Sequence, residues 1–191
     1  ITGGSYQWHN APSGLSGSSI TFDTPMILNN SGYLLIGYIS SNGAYKLQVN
    51  SQIFATSSTI ATSDGRYKEN VVEITDGLDL VNAMRPVQFN WKAHPVHDFN
   101  TTIPTVGFIA QDLQVTLADK PYLNSIVKEN ECVIQKEAKD EEGNIVTPEV
   151  KETFYGIAEG NLIAILTSAI QGLTAEINSL KARISVLEGN A

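Results

Sequence analysis

The strongest pattern along the chain lies near its C-terminal end. Ile163, Ile170, Ile177 and Ile184 recur every seven residues, and Leu166, Leu173, Leu180 and Leu187 do the same. Apolar positions held in heptad register over four repeats predict a left-handed coiled coil rather than a lone amphipathic helix. Between parallel identical helices, Glu176 at g would face Lys181 at the next e, and Arg183 would face Glu188, both pairs of opposite sign. Ile at a with Leu at d favours two strands. Antiparallel packing of the same stripe onto the chain's own body is the alternative use of it.

Upstream the pattern is mixed. "KENVVEITDGLDLVNAMRPVQFNWK" predicts a short strand, then a helix capped at Thr75 or Asp76 that ends before Pro86, whose ring disfavours helix at Arg85. In "PVQFNWK", Val87, Phe89 and Trp91 alternate as in a half-buried strand. "TVGFIAQDLQVTL" predicts a strand passing into a short helix. "CVIQKEAKDEEGNIVTPEVKETFYGI" predicts a hairpin with a solvated acidic tip at "EEGN". Before residue 63 the signal is different. The short runs "SITFDT", "GYLLIGYIS", "YKLQVN" and "QIFATS" are separated by "NNSG", "SSNG" and "VNSQ", which predicts short strands and tight turns.

Charge makes the division sharper. Residues 1–62 carry only Asp23 and Lys46, and the other 30 of the 32 charged side chains follow. Ordering backbone costs roughly 1–2 kcal/mol per residue, and this neutral Ser/Thr/Asn/Gly-rich segment has few large apolar groups to offset that. It is therefore expected to share a core among several chains, as an intertwined β-fibre does. Tyr6, Trp8, Phe22, Tyr33, Tyr38, Tyr45 and Phe54 argue against a flexible linker and are read, with His9, as packing or ordinary surface. The expected fold is an α+β domain with a long C-terminal coiled-coil helix over 63–191, preceded by an all-β intertwined fibre segment over 1–62. Ile1 as the first residue suggests a piece of a longer chain.

Net charge is −8 and the sequence pI about 4.8. That argues against a nucleic-acid partner, whose binding rests on Lys and Arg. No apolar run is long enough to span a bilayer as a helix, so no membrane partner is expected. Cys132 is alone, which excludes an intrachain disulfide. His94-Pro95-Val96-His97 could pair on a metal, but Pro95 and the few nearby carboxylates favour a solvated loop. No metal site and no cofactor are expected.

At the seam stands "IATSDGRYKENV" (60–71). A serine hydroxyl becomes nucleophilic when a base takes its proton, and a lysine does so when burial or a nearby cation favours its neutral form. Ser63, Lys68 and Arg66 supply these parts. Spacing alone is weak evidence, since a serine and a lysine five apart occur in any protein and this stretch is also a normal turn in which Asp64 or Ser63 bonds the local backbone.

The motifs "TSDGRYKENV", "MRPVQFNWK", "GFIAQDLQ" and "FYGIAEGNLIAILTSAIQGLTAEINSL" occur in order over 63–191. Together they resemble the self-releasing C-terminal intramolecular chaperone domain of phage tail spikes, tail fibres and endosialidases. The resemblance implies a homotrimer that winds its own N-terminal passenger into a triple β-helix or fibrous shaft and then cuts itself off. By the same resemblance, Ser63 is the nucleophile of a Ser-Lys dyad, Lys68 its base, and Thr62–Ser63 the bond cut. Asp64 and Arg66 also match, in supporting roles, and Gly65 lies near the backbone amides that could hold the oxyanion. Phe154-Tyr155-Gly156 matches an aromatic position read as packing. The implied setting is the host cytoplasm during virion assembly, with the passenger ending in the virion tail. Two other readings stand beside it: a permanently attached trimerisation module at a fibre tip, and release of a trimeric fragment from a cellular protein, as in myelin-regulatory-factor-type proteins. The lack of a basic region disfavours the latter.

Overall fold

The structure is a computed structural model that describes residues 4–189 apart from 12, 15, 18, 21, 58 and 59. In chain order its elements begin with strands β1 (Tyr6–Asn10), β2 (Asp23–Leu28), β3 (Leu34–Ile36) and β4 (Leu47–Val49), then a 3-10 turn at Gly65–Tyr67. Helix α1 (Gly77–Ala83), β5 (Val87–Phe89), β6 (Thr105–Gly107), α2 (Ala110–Thr116) and α3 (Leu123–Ile126) follow. The chain ends with β7 (Val127–Gln135), β8 (Ala138–Lys139), β9 (Ile145–Thr147), β10 (Val150–Ile157), a 3-10 turn at Glu159–Asn161, and α4 (Leu162–Gly189). It is a mixed α/β architecture with one long C-terminal helix. The elements gather into two compact units.

The first unit joins three separate stretches, Ile1–Ser58, Asn90–Thr105 and Glu129–Phe154. Strands β1 to β4 form one sheet in sequence order, antiparallel through β1, β2 and β3 and parallel between β3 and β4. The "NNSG" turn makes the β2–β3 register possible. Asn29 Oδ1 accepts from the amides of Ser31 and Tyr33 at 3.0 and 2.9 Å, and Gly32 takes a φ of 71° that a side chain would resist. Ile27 and Leu35 are the buried apolar residues of this sheet, and Gln48 beside them is buried too. Its side chain accepts from the Asn42 amide at 2.6 Å and donates to the carbonyls of Gly43 and Tyr45. Tyr6, Trp8, Ile36 and Leu47 stay exposed, so much of the sheet's apolar surface is uncovered by its own chain. "QIFATS" forms no strand, and β2 starts only at Asp23, later than "SITFDT" predicts. Thr21 of the latter run lies outside the described residues. The acidic hairpin forms as expected: Asp140 Oδ1 accepts from the Asn144 amide at 2.7 Å, and Gly143 takes a φ of 88°.

The second unit, Thr59–Phe89, Val106–Lys128 and Tyr155–Ala191, holds the main apolar core. Leu80, Leu113, Leu117, Ile126, Val127, Leu162 and Ile165 are buried there, packed by Ile74, Phe108 and Tyr155 among others. Helix α1 starts after Asp76 as expected, but residues 71–76 form no strand. Its first residue has to be small, because a Cβ on Gly77 would lie 2.6 Å from Ser168 Cβ on α4. Ser168 Oγ closes the contact by donating to Ile74 O at 2.6 Å. Lys120 sits between Asp76 and Asp119 at 2.8 and 2.9 Å, and the two carboxylates hold its ammonium well above the usual lysine range.

Helix α4 uses two faces. Leu162, Ile165 and Ala169, at g and c positions of the heptads, are its buried residues. Every a and d residue, from Ile163 at 64% to Leu187 at 71%, is exposed. The heptad stripe is therefore not what packs on the body.

Candidate active site

The seam residues sit on a tight turn whose geometry follows from their chemistry. Asp64 is an N-cap: its backbone is extended, its Oδ1 accepts from the Arg66 amide at 2.9 Å, and Gly65–Tyr67 wind behind it as a 3-10 turn. Tyr67 and Lys68 amides donate to the carbonyls of Asp64 and Gly65, both at 3.1 Å, and Lys68 leaves the turn extended. Asn70, with φ 52°, then redirects the chain and is the one non-glycine residue with positive φ among those described. A fully extended chain would separate residues 63 and 68 by roughly 16 Å. The turn instead brings Lys68 Nζ to 2.7 Å from Ser63 Oγ. These are the parts of a serine–lysine pair within proton-transfer reach.

Arg66 does not point its charge at that pair. Its Nε and Nη2 both bond Asp64, the shortest contact being 2.7 Å, which lowers the Asp64 carboxyl pKa and raises that of the guanidinium. The ion pair therefore braces the turn. Gly65 is the first residue of the turn, so its amide is among those that a helical turn leaves without an internal acceptor. Ser63 and Lys68 are both exposed in the single chain.

The histidine pair departs from the solvated loop expected of it. His94 and His97 are partly buried and stacked at 4.6 Å, and β7 brings Cys132 beside them, with ligating atoms of all three within 4.8 Å of one another. The donor chemistry does not fit a metal. His94 Nδ1 accepts the amides of Val96 and His97 at 3.1 and 3.2 Å, which puts the ring proton on Nε2, 3.0 Å from Glu152 Oε2. His94 thus has no free lone pair to give. The sequence offers the His94/His97 pair by its spacing but carries no signal for Cys132, which joins it from a strand far along the chain.

Residues 63–120 match a peptidase family described as the chaperone of endosialidase. That match starts at Ser63 and runs through the turn, α1 and α2 to Lys120. Among solved structures, the chain is similar to the carboxy-terminal domain of the bacteriophage T5 L-shaped tail fibre with its intramolecular chaperone domain. Identity is 16% and the TM-score 0.38, with 95% of this chain and 45% of that one covered, so this chain spans less than half of that chain's length. No curated protein matches.

Proposed function

We propose that residues 63–191 are an intramolecular chaperone that assembles three copies of the chain, helps a viral tail-fibre or spike passenger ending at residue 62 to wind, and then cuts itself free between Thr62 and Ser63. The observation that carries this reading is the 2.7 Å contact between Lys68 Nζ and Ser63 Oγ, on a turn where the family match begins. In its neutral form, Lys68 takes the Ser63 hydroxyl proton while Oγ attacks the Thr62 carbonyl carbon through a five-membered ring. The tetrahedral adduct collapses as the Thr62–Ser63 C–N bond breaks, and the lysine returns the proton to the leaving nitrogen. The product is an ester on Ser63 Oγ. Water hydrolyses it, leaving a C-terminal carboxylate on Thr62 and a free amine and hydroxyl on Ser63.

A lysine serves as base when it is desolvated, and both side chains of the dyad are exposed in one chain. Assembly supplies that burial on this reading. The exposed Ile/Leu stripe of α4 is the seam along which the copies join, which makes the helix a coiled coil. The exposed apolar residues of β1, β3 and β4 are what the neighbouring fibre chains cover. The setting is virion assembly inside the host cell, after which the passenger remains in the tail.

Exposure of Ser63 and Lys68 also favours a second reading, in which the module stays attached and Ser63 is only a turn residue. Mass spectrometry of the expressed chain separates the two. Self-cleavage predicts a fragment spanning 63–191 that disappears in Ser63→Ala and Lys68→Ala. Intact full-length protein under conditions where the chain is trimeric would rule it out.

A further inference from the structure

The first unit holds residues on both sides of the bond that the proposed function cuts. Up to Ser58 they precede it; Asn90–Thr105 and Glu129–Phe154 follow it. What joins them is specific. Asn50, just after β4, donates from Nδ2 to Val96 O at 2.8 Å and to Gly37 O at 3.2 Å, while its Oδ1 accepts from the Asp98 amide at 2.8 Å. Tyr38, just after β3, places its hydroxyl 3.0 Å from His97 Nδ1, with the two rings edge to face. His97 is then boxed by Phe99 and by Phe154 on β10, and its Nε2 is buried with no hydrogen-bond partner among the described residues. Beside these contacts Tyr38, Asn50, Trp91, His97 and Phe99 line a cavity of about 650 Å³. None of these bonds passes through residues 59–63.

We propose that once Thr62–Ser63 is cut, the N-terminal piece stays seated on residues 90–105, β7 and β10 through a latch built on Tyr38, Asn50 and His97, and that acid opens this latch. The retention rests on the geometry above, and its place in the life of the protein rests on the proposed self-cleavage. The acid sensitivity follows from the surroundings of His97. Tyr38 faces it from the passenger side, His94 from its own loop, Cys132 from β7, and Glu152 with Phe154 from β10. Burial first, then the charge of neighbouring His94, pull its pKa below 6.5, and Glu152 opposes them weakly. His94, Glu152, Phe99 and Phe154 stay beside His97 after the cut, so undocking removes only the burial that Tyr38 and its segment supply, and the histidine then binds protons more readily. Retention is therefore full above about pH 6.5 and weakens as pH drops below it, by less than about tenfold per chain at one unit below.

The test uses the full chain carrying Ser63→Ala and a site-specific protease recognition sequence in place of residues 59–62. The nick then does not depend on self-cleavage, and failure of that chemistry is read separately in the mass-spectrometry experiment above. After nicking, size exclusion with mass detection at pH 7.5, 6.5 and 5.5 should show both pieces together at pH 7.5 and separating below 6.5. Tyr38→Phe, which keeps the ring, should lower retention several-fold at pH 7.5. His97→Gln should either hold the pieces together at every pH, because nothing there titrates, or separate them already at pH 7.5, because the ring is the latch; both support the proposal. Separation of the nicked parent at pH 7.5, retention unchanged to pH 5.5, or a His97→Gln profile identical to the parent's would overturn it.

Discussion

Asp64 shows how a single carboxylate sets the candidate site. Its side chain accepts the Arg66 amide and both arms of the Arg66 guanidinium, and the resulting turn is what closes Lys68 onto Ser63. Asn at this position keeps the capping acceptor and loses the ion pair; Ala loses both. Asp64→Ala is therefore expected to slow appearance of the 63–191 fragment several-fold, and Asp64→Asn to restore most of the rate. A time course followed by intact mass measures this, and equal rates for the two variants would show that the cap does not position the dyad. The serine, the lysine and the "SDG" turn were all legible in the sequence, because the contacts that join them are local. The grouping of His94 and His97 with Cys132 and Glu152 was not, since no periodicity links a loop at 94–97 to strands near 132 and 152.

Among the elements, α1 and α4 carry opposite lessons. The start of α1 at Gly77 was readable from the Thr75-Asp76 pair and from Pro86 beyond its end, although Asp76 makes no side-chain cap and gives its carboxylate to Lys120; the reason for glycine was not, because it lies in the approach of Ser168 on α4. Gly77→Ala puts a methyl 2.6 Å from Ser168 Cβ and 2.7 Å from the Ala169 amide nitrogen. It is expected to cost about 1–3 kcal/mol and to lower the melting temperature by several degrees in a thermal scan. In α4 the heptads were unmistakable, yet they left open whether the stripe would fold back onto the body. The core instead takes Leu162, Ile165 and Ala169, and leaves the Ile/Leu positions exposed. Most helical stability in proteins comes from packing of an apolar face, and this face is exposed in the single chain. Leu173→Asp with Ile177→Asp should abolish association in sedimentation velocity and spare the core of the second unit, which neither residue enters. A parent chain that sediments as a dimer would favour the two-stranded preference of Ile at a with Leu at d over the trimer.

At the scale of the molecule, the change in composition at residue 62 marks where an almost uncharged stretch meets one that carries 30 of the 32 charged side chains. It gives no hint that residues 90–105 and 129–154 fold with the first 58, since that grouping is made by long-range bonds such as those of Asn50. The same arrangement bears on the timing of the proposed cut. On that proposal, a chaperone that cuts before its passenger has wound is lost to it, so the reaction would have to wait for assembly. In one chain, Ser63 and Lys68 are in contact but exposed, and among the described residues around Thr62 and Ser63 none has the positive φ of a strained backbone. On the proposed function, burial and an attack geometry at the Thr62 carbonyl have still to be supplied, and we propose that a wound shaft pulling on its last bonds supplies both. Cleavage should therefore depend on the passenger rather than on residues 63–191 alone. A chain shortened to a few unstructured residues before Ser63 should cleave at least tenfold more slowly than the full chain at equal concentration, by intact mass over time. Equal rates would place the trigger inside the chaperone segment and remove the shaft from the mechanism.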